Sequence, residues 1–377
     1  MKLIHLSDLH LGKRLLDCSL LEDQRDILGK IQNIVKEEAP QAVLIAGDIY
    51  DKSVPPAEAV QLFDDFLAEL AGLGTKVFVI SGNHDSPERI AFGSRLMAAG
   101  GVYLSPVYGG TVEPLRLEDE HGPVDIYLLP FLKPAHVRAA YPEEPIHSYT
   151  DALAAAIAHM PMDPGARRVL LAHQFVTGAL SCDSEERSVG GSEQVDAGVF
   201  DAFDYVALGH LHSPQSVGRE SLRYCGTPLK YSFSEREQEK SVTVVELGKK
   251  GQVTVRTRPL RPLRELHQLK GTFAGLMAGD CGAEVRDSYL ALTLTDEENV
   301  PDAIGRLRTV YPHILKLDYD NARTRALGQL LQTELESRKS RLEIFEEFFE
   351  ARNQRPMSGQ QRDYVAALLE ELGEEEP

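Results

Sequence analysis

The sequence predicts an α/β fold built from layered sheets. In the first half of the 377-residue chain, short apolar runs that resemble strands buried on both faces alternate with helical patterns. Strands that alternate with helices in this way are typical of α/β proteins. After about residue 220 the pattern becomes mostly β, and these later strands are expected to complete the sheet layers of the first half.

The predicted elements follow in chain order. Six strands are expected first, at Leu3–Leu6, Ala42–Ala46, Lys76–Ile80, Val124–Leu129, Val169–Ala172 and Tyr205–Leu208. Helical patterns lie between the early strands, at Leu21–Glu38, Ala57–Ala71 and Pro87–Ala99. The second helix follows two prolines, which favour a helix start. Three further strands are expected at Leu222–Cys225, Ser241–Leu247 and Gln252–Arg258.

The chain is too long for one ordinary core, and its pattern predicts three segments. Pro259 and Pro262 mark the end of a first domain, residues 1–260. From residue 263 to 320 the order strand, helix, strand, helix, strand predicts a small α+β domain. Residues 321–377 are helical by composition, with a break at Arg355-Pro356. A capping box running from Ser358 to Gln361 is expected to open the last helix.

Composition excludes several classes of protein. The formal net charge is −18, which argues against a protein that coats nucleic acid by charge alone. No apolar run approaches the roughly 20 residues that span a bilayer, and the N-terminal residues lack the apolar segment of a signal peptide. A cytoplasmic protein without a membrane partner is therefore expected. The four cysteines form no C-x-x-C pair, which favours reduced thiols over a zinc ribbon.

Five polar motifs stand at the ends of predicted strands. They are Asp8-Leu9-His10, Gly47-Asp48, Gly82-Asn83-His84-Asp85, His173 and Gly209-His210-Leu211-His212. In open α/β sheets the carboxyl ends of strands converge on one crevice, so these residues are expected to meet. The Asp-x-His and His-x-His pairs are expected in extended loops, with both side chains of a pair on one side.

The residue types in these motifs are those of a metal site. Two aspartates, one asparagine and four histidines are too many ligands for a single tetrahedral zinc ion, and they suit two metals that share a bridging carboxylate. Mixed oxygen and nitrogen donors favour Mn²⁺, Fe²⁺ or Zn²⁺ over Mg²⁺. A single histidine or turn of this kind is more often structural. Here all five follow apolar strand-like runs in one part of the chain, which favours the metal site.

The order of the motifs resembles the calcineurin-like metallophosphoesterase superfamily, which implies a layered mixed-sheet sandwich. Within it, His5–Gly12 and Ala46–Asp51 are similar to the SbcD family of nuclease subunits, which work with SbcC ATPases. The resemblance covers the whole chain, more strongly to about residue 240. It implies a metal-dependent DNA nuclease, acting as exonuclease and endonuclease on double-strand breaks or hairpins.

The resemblance also implies roles for nine residues: two metal-binding triads, a bridging carboxylate, a catalytic acid and a residue that orients the acid. In that order they are Asp8, His10 and His212; Asn83, His173 and His210; Asp48; His84; and Asp51. Two divalent ions are implied, and Mn²⁺ is the expected metal.

Further expectations concern partners. By resemblance, the domain at 263–320 would cap the site and bind DNA, and the helices at 321–377 would bind the coiled coil of an SbcC-like ATPase through Phe345, Phe348 and Phe349. The helical patterns Ala57–Ala71 and Pro87–Ala99 would form a homodimer contact. For the tail helices and for the two helical patterns of the dimer contact, packing on the protein's own core is the alternative. Basic residues beside the motifs could contact DNA or be ordinary surface charge; they are Lys13, Arg14, Lys52 and Arg89.

Two other functions remain open on the sequence alone. A phosphoesterase that acts on a small molecule or a phosphoprotein would share every ligand, but would need neither the domain after residue 262 nor the helical tail. A non-catalytic interaction protein could keep the fold. His84 and the complete set of ligands argue against that second alternative.

Overall fold

The computed structural model describes residues 1–182, 185, 193–325, 341–353 and 355–373. The chain forms two compact units, Met1–Leu266 and His267–Pro377. Two six-stranded sheets lie in the first unit, and a three-stranded sheet belongs to the second. Within the described ranges, no helix is both long and apolar enough to cross a membrane.

The first sheet contains four neighbouring parallel strands. Its order is Val253–Pro259, Ser241–Leu247, Lys2–Leu6, Ala42–Ala46, Lys76–Ile80 and Val102–Leu104. Ser241–Leu247 runs antiparallel to Lys2–Leu6. The three strands that follow Lys2–Leu6 in this order are parallel to Lys2–Leu6 and to each other. Their carboxyl ends therefore emerge at the same edge.

The second sheet is built in the same way. Its order is Gln215–Val217, Arg219–Tyr224, Tyr205–Gly209, Arg167–His173, Gly122–Leu128 and Leu115–Asp119. The central strands Tyr205–Gly209 and Arg167–His173 are parallel. Both sheets thus mix parallel and antiparallel pairs, and the predicted mixed-sheet sandwich is confirmed. Two short strand pairs lie outside the sheets, Arg14–Leu15 with Cys18–Ser19 and Phe175–Val176 with Gln194–Val195.

Alternating side chains join the layers. Val169 and Leu171 point inward to an apolar cluster shared with Leu44 and other residues of the first sheet. Leu170, on the opposite face of the same strand, packs in a second cluster with the helix Tyr149–Ala158. Because successive side chains point to opposite faces and both faces are covered, every residue from Val169 to His173 is buried.

Helices cover the sheets. In the first unit they are Leu21–Glu38, Ala57–Gly72, Pro87–Ile90, Ser94–Met97, Pro134–Ala140 and Tyr149–Ala158, with 3₁₀ turns at Ala98–Gly100, Ala197–Phe200 and Phe233–Glu235. The helix Ala57–Gly72 packs on Leu21–Glu38 and on the strand Lys76–Ile80. The sequence analysis missed Pro134–Ala140 and Tyr149–Ala158. The second of these is rich in alanine and shows little contrast between its faces, although a capping box from Ser148 to Asp151 marks its start.

The continuous helix predicted over Pro87–Ala99 is wrong. The segment forms two separate turns, Pro87–Ile90 and Ser94–Met97, followed by a 3₁₀ turn. Gly93 lies between them with φ of 73°, in the left-handed region that ends an α-helix. Two large apolar side chains of this segment are left in solvent, Phe92 at 84% and Leu96 at 83% exposure.

The second unit contains the predicted alternation of strands and helices. Its elements are Leu266–Gly271, Phe273–Ala278, Ala283–Arg286, Tyr289–Leu294, Ala303–Leu307 and Ile314–Tyr319. Only the short helix Ala283–Arg286 was not expected. Asn321, which follows the last strand, is buried, and its amide donates to the carbonyl oxygen of Asp296 at 3.1 Å. Asn321 is thus fixed to this unit.

Two helices, Arg341–Asn353 and Gly359–Gly373, end the described chain. The capping box predicted before the second is confirmed, because the backbone amide of Ser358 donates to Oε1 of Gln361 at 3.0 Å and the return bond is present. Leucines 327, 331 and 335, which the sequence analysis placed on the apolar face of the tail, lie outside the described residues.

Candidate metal centre

The five motifs meet at the edge where the central strands of both sheets end. The seven predicted ligands are drawn together there, six of them buried and Asn83 half-buried; the six are Asp8, His10, Asp48, His173, His210 and His212. The expected convergence of these motifs therefore occurs. Their roles as ligands stay predictions.

One triad consists of Asp8, His10 and His212, whose candidate ligand atoms all lie within 4.8 Å of one another. Nε2 of His10 is 3.2 Å from Nε2 of His212. Two imidazole nitrogens at this distance either share a proton or direct their lone pairs at a common cation. The Asp8 carboxylate also accepts a hydrogen bond from the backbone amide of His210 at 3.0 Å, which fastens the loops of the two sheets together.

The other triad consists of Asn83, His173 and His210. Oδ1 of Asn83 lies 3.0 Å from Nε2 of His173 and 3.0 Å from Nδ1 of His210. Nδ1 of His173 donates to the carbonyl oxygen of Ala46 at 2.8 Å. This bond fixes the ring so that Nε2 faces the cluster, which is the usual way a protein orients a metal-binding histidine.

Asp48 lies between the two triads. Its Oδ2 is 3.7 Å from Nε2 of His10 in the first triad and 3.3 Å from Nε2 of His173 in the second. Its Oδ1 accepts from the backbone amide of His84 at 2.9 Å. One carboxylate therefore reaches both groups of side chains while its other oxygen is held by the main chain.

The charges of the cluster are set by burial and by one ion pair. Burial raises the pKa of Asp8 to about 6 and lowers the pKa of His210 to about 3. At Asp48 burial is outweighed by the charge of His173, which holds the pKa of Asp48 below its usual range. At His173 burial is in turn outweighed by Asp48, which raises the pKa of His173 to about 9. Asp48 and His173 thus form an ion pair within the cluster.

His84 stands at the rim of the cluster. Its side chain is 19% exposed, and Nε2 lies 3.9 Å from Oδ2 of Asp48. Nδ1 donates to the backbone carbonyl oxygen of Asp51 at 3.0 Å. The Asp51 carboxylate, which was expected to orient this histidine, instead pairs with Nζ of Lys13 at 2.7 Å. The contact with His84 comes from the main chain of Asp51.

The backbone of the centre is strained. Among the described residues seven non-glycine residues have positive φ, and four of them belong to the metal motifs: Asp8, His10, Asp48 and His210. Such conformations cost of order 1–3 kcal/mol each and cluster at functional sites. The expectation that Asp8 and His10 lie in an extended loop is therefore wrong, because both are left-handed. Their side chains meet through this turn of the backbone.

Glycines in the motifs permit close approach. A Cβ atom at Gly82 would lie 2.1 Å from Oδ1 of Asp48, and one at Gly209 would lie 1.9 Å from the carbonyl oxygen of Ala46. Any larger residue at either position would displace the side chains of the centre or separate the two sheets.

Two supporting residues were missed in the sequence. Asp85 is buried and accepts from the amides of Ile49, Tyr50 and Gly82 at 3.1, 3.0 and 2.9 Å, so it ties the Asp48 loop to the Asn83 loop. Gln24, on the first helix, donates to the carbonyl oxygen of His10 at 2.7 Å. The sequence places Asp85 in a turn motif, which is a signal for such capping. Nothing in the sequence marks Gln24.

Comparison with known proteins gives the family. The family described as calcineurin-like phosphoesterase matches residues 1–214, and a type 5 capsule protein repressor C-terminal domain matches residues 262–353. The chain is 31% identical over 376 residues to the SbcD subunit of the SbcCD nuclease of Staphylococcus epidermidis, covering 98% of each. This chain belongs to the SbcD family of calcineurin-like phosphoesterases. The protein of the same name from Staphylococcus saprophyticus is 34% identical over 321 residues, covering 84% of each chain.

The family confirms the predicted enzyme class, a metal-dependent phosphodiesterase. A small-molecule or phosphoprotein phosphatase is not favoured, because the SbcD relatives match nearly the whole chain. A solved dimetal phosphatase from Danio rerio, 12% identical, covers 70% of this chain and 98% of its own at a TM-score of 0.41. A score this low carries no argument about function.

The donor set fits the divalent metal ions on which this family depends. Imidazole nitrogens face one another at 3.2 Å in the first triad, and an amide oxygen faces two imidazoles at 3.0 Å in the second. Buried polar atoms gathered in this way, around a carboxylate that reaches both groups, are the arrangement that a pair of divalent ions requires.

Proposed function

We propose that this chain is the nuclease subunit of an SbcCD-type complex and hydrolyses phosphodiester bonds of DNA at this centre, in double-strand break or hairpin processing. The observation that carries the proposal is that a relative named as the SbcD subunit of the SbcCD nuclease matches 98% of the chain. That match includes the second unit, which phosphoester chemistry alone does not need.

In this proposal Asp8, His10 and His212 hold one metal ion, and Asn83, His173 and His210 hold the other. Asp48 bridges them. The mixture of carboxylate, amide and imidazole donors supports Mn²⁺ as the metal. When bound, such ions supply an acidified water as nucleophile and Lewis-acid stabilisation of the phosphoryl oxygens.

His84 is the proposed proton donor to the leaving oxygen. Its Nδ1 is occupied by the carbonyl oxygen of Asp51, so Nε2 is the nitrogen that can exchange a proton with substrate. The ring is partly exposed at the rim, where a phosphodiester bound to the cluster would present its leaving group. An imidazolium ring can release a proton to a leaving oxygen, which is the property that a general acid requires.

DNA contact is proposed to be local, because the chain is acidic overall. A cleft of about 820 Å³ lies beside Asp51 and is lined by Arg14 and Lys52 among other residues. These two cations next to the centre could follow a phosphate backbone, whereas Lys13 already pairs with Asp51. Since phosphate neutralisation supplies most non-specific affinity, tight binding to duplex DNA is expected to need the partner ATPase.

The proposed function is tested by comparing two substrates with Mn²⁺ present. The purified chain should cleave plasmid DNA or a DNA hairpin as well as a nitrophenyl phosphodiester. Hydrolysis of the nitrophenyl ester alone, with no cleavage of any DNA, would support the small-molecule alternative. Hydrolysis of neither would support a non-catalytic protein.

Replacing Asp51 with asparagine is expected to lower kcat by less than about tenfold. The carbonyl oxygen that accepts from His84 is retained in this variant, so the catalytic ring keeps its orientation. Steady-state cleavage of a DNA hairpin is the measurement, because its alkoxide leaving group needs a proton. Lys13→Met is the matched control, because it removes the same ion pair from the other side. A loss at Asp51→Asn comparable with that of a His84 variant would show that the carboxylate itself is required.

A homodimer is proposed through the helix Ala57–Gly72 and the turns after Pro87, as the family resemblance implies. Phe92 and Leu96 are more than four-fifths exposed in the single chain, which is unusual for large apolar side chains. The double variant Phe92→Ser/Leu96→Ser should therefore be monomeric by light scattering at a concentration where the unaltered protein is dimeric. Val107→Ser, at another exposed apolar residue, should leave the dimer intact. An unaltered protein that is monomeric at micromolar concentration would contradict the proposal.

Residues 263–320 are proposed to cap the site and bind DNA. The helices after this domain are proposed to bind the SbcC-type ATPase. On helix Arg341–Asn353, Phe345 and Phe348 are 38% and 41% exposed, with ring centroids 6.2 Å apart. Exposed aromatic pairs of this kind are typical anchors for a partner.

Removal of residues 341–377 should abolish binding to an SbcC-type coiled-coil ATPase and leave cleavage of single-stranded DNA unchanged. The cut keeps Asn321, which is fixed to the second unit. Co-elution with the ATPase and Mn²⁺-dependent cleavage are measured on the same preparation. Phe345→Ser/Phe348→Ser should reproduce the loss of binding, each truncated aromatic costing about 2 kcal/mol. Unfolding of the first unit by the truncation would show that these helices belong to the core.

A further inference from the structure

A buried ion pair lies next to His212 and has no part in the proposed reaction. Glu235 ends the 3₁₀ turn Phe233–Glu235, and Lys240 directly precedes the strand Ser241–Leu247. Their side chains are 0% and 2% exposed, and Nζ of Lys240 is 2.5 Å from Oε2 of Glu235. Moving two charges out of water costs several kcal/mol per ion, which a single pair rarely recovers. The pair therefore calls for an explanation other than stability.

The pair contacts His212 on both its main chain and its ring. Nζ of Lys240 donates to the carbonyl oxygen of His212 at 2.9 Å. Oε1 of Glu235 lies 3.6 Å from Nδ1 of the same histidine. Nδ1 is the ring nitrogen on the far side from the metal cluster, because Nε2 is the one that faces His10.

The surroundings hold both charged groups in place. Nζ of Lys240 also donates to Oγ1 of Thr227 and to Oε1 of Gln238, each at 2.7 Å. The carboxylate of Glu235 accepts from the backbone amide of Tyr231 at 3.3 Å. These contacts and the burial of both side chains fix the position of the carboxylate relative to the imidazole.

We propose that Glu235, held in place by Lys240, is a positioning residue that keeps Nε2 of His212 directed at the metal centre. A carboxylate beside Nδ1 stabilises the tautomer that carries its proton there, which leaves the lone pair of Nε2 for a metal. The inference rests on the proposed function, in which His212 binds one of the two ions. It adds a residue that the metal motifs do not contain.

A separate cation site is the alternative use of these side chains. Cys182, His212 and Glu235 offer ligand atoms that lie within 4.8 Å of one another. The Lys240 ammonium, however, already places a positive charge 2.5 Å from Glu235. A second cation at that carboxylate would be repelled at short range. Glu235 therefore acts on the ring of His212 and not as a ligand of a third ion.

The test uses Glu235→Gln and the double variant Glu235→Gln/Lys240→Met in the full chain. Calorimetric titration with Mn²⁺ is the first readout, and thermal unfolding is the second. Glu235→Gln should weaken one of the two Mn²⁺ sites by roughly 10- to 100-fold and leave the other unchanged. The double variant no longer buries an ammonium without its counter-ion, so it should unfold at a higher temperature than Glu235→Gln while its weak Mn²⁺ site stays weak.

Asp119→Asn is the matched control, since Asp119 and Arg167 form another buried ion pair of the same unit. Arg167 begins the strand that ends at His173, about 20 Å along the strand from the centre. This variant should lower the unfolding temperature without changing either Mn²⁺ affinity. If Asp119→Asn loses Mn²⁺ affinity in proportion to its loss of stability, the effect of Glu235→Gln is explained by general destabilisation and not by positioning of His212.

His212→Ala separates failure of this inference from failure of the proposed function. If His212→Ala weakens one Mn²⁺ site and Glu235→Gln weakens neither, Glu235 has no positioning role and the ligand assignment stands. If the double variant regains full Mn²⁺ affinity together with its stability, the role of Glu235 is structural only. If His212→Ala binds two ions as tightly as the unaltered protein, the ligand assignment itself fails.

Discussion

Replacing Asp48 with alanine should weaken Mn²⁺ binding at both sites and abolish hydrolysis of phosphodiesters. The carboxylate of Asp48 reaches a histidine of each triad, at 3.7 Å in one and 3.3 Å in the other, so under the proposed assignment its loss would remove a ligand from both ions at once. Metal assistance contributes several kcal/mol to such reactions, and a fall in kcat/KM of roughly a thousandfold or more is expected. Calorimetric titration with Mn²⁺ and steady-state kinetics are the measurements.

Two other variants make this result specific. His212→Ala removes a ligand of only one triad and should weaken one site alone. Asp125→Asn alters a carboxylate that is equally buried but pairs with Arg116 at 2.7 Å outside the centre, and it should leave both Mn²⁺ affinities unchanged. An Asp48→Ala protein that still binds two Mn²⁺ ions tightly cannot have Asp48 as the bridge.

The sequence predicted that these residues would converge because the polar motifs stand at strand ends. Runs such as Ala42–Ala46 are apolar at every position, because both faces of a central strand are covered. The end of such a strand can therefore be recognised in the sequence as the end of the apolar run. The polar residue that follows, Asp48 in this case, then stands out from its neighbours. Parallel strands of one sheet end at the same edge, and the packing of the two sheets brings the two sets of strand ends together.

The geometry inside the loops could not be predicted in the same way. Asp8 and His10 are left-handed, a conformation that aspartate and histidine tolerate better than most residues but that the fold imposes at these two positions. The contact that orients His84 uses the carbonyl oxygen of Asp51, and main-chain atoms are the same in every residue. The contacts of Gln24 and Glu235 join segments that are distant along the chain, so only the tertiary structure reveals them.

The wrong prediction of a continuous helix after Pro87 came from the spacing of apolar residues alone. The segment from Pro87 carries apolar residues at helical spacing, but Gly93 adopts positive φ and divides it. The side chains that would have formed the buried face of a longer helix, Phe92 and Leu96, are left exposed. Apolar residues at helical spacing can therefore also arise from two separate helical turns.

Replacing His84 with serine should lower kcat on DNA by roughly 10²- to 10⁴-fold, the usual contribution of a general acid, with both Mn²⁺ sites retained. The side chain of His84 lies 3.9 Å from Asp48 and is held by a main-chain carbonyl, at the rim and not within either triad. Mn²⁺ content and calorimetric titration of the variant test this separation. His121→Ser, at a histidine in a turn outside the centre, is the control and should change neither quantity.

Two substrates with different leaving groups test whether His84 acts by donating a proton. An alkoxide leaving from DNA needs a proton, whereas nitrophenolate is stable without one, so a general acid matters far less for a nitrophenyl phosphodiester. His84→Ser should therefore lose much more activity on DNA than on the nitrophenyl ester. Equal losses on both substrates would assign His84 to binding or to charge stabilisation instead of proton transfer. Loss of one Mn²⁺ ion per chain would make it a ligand, and the assignment of the acid would then pass to another residue.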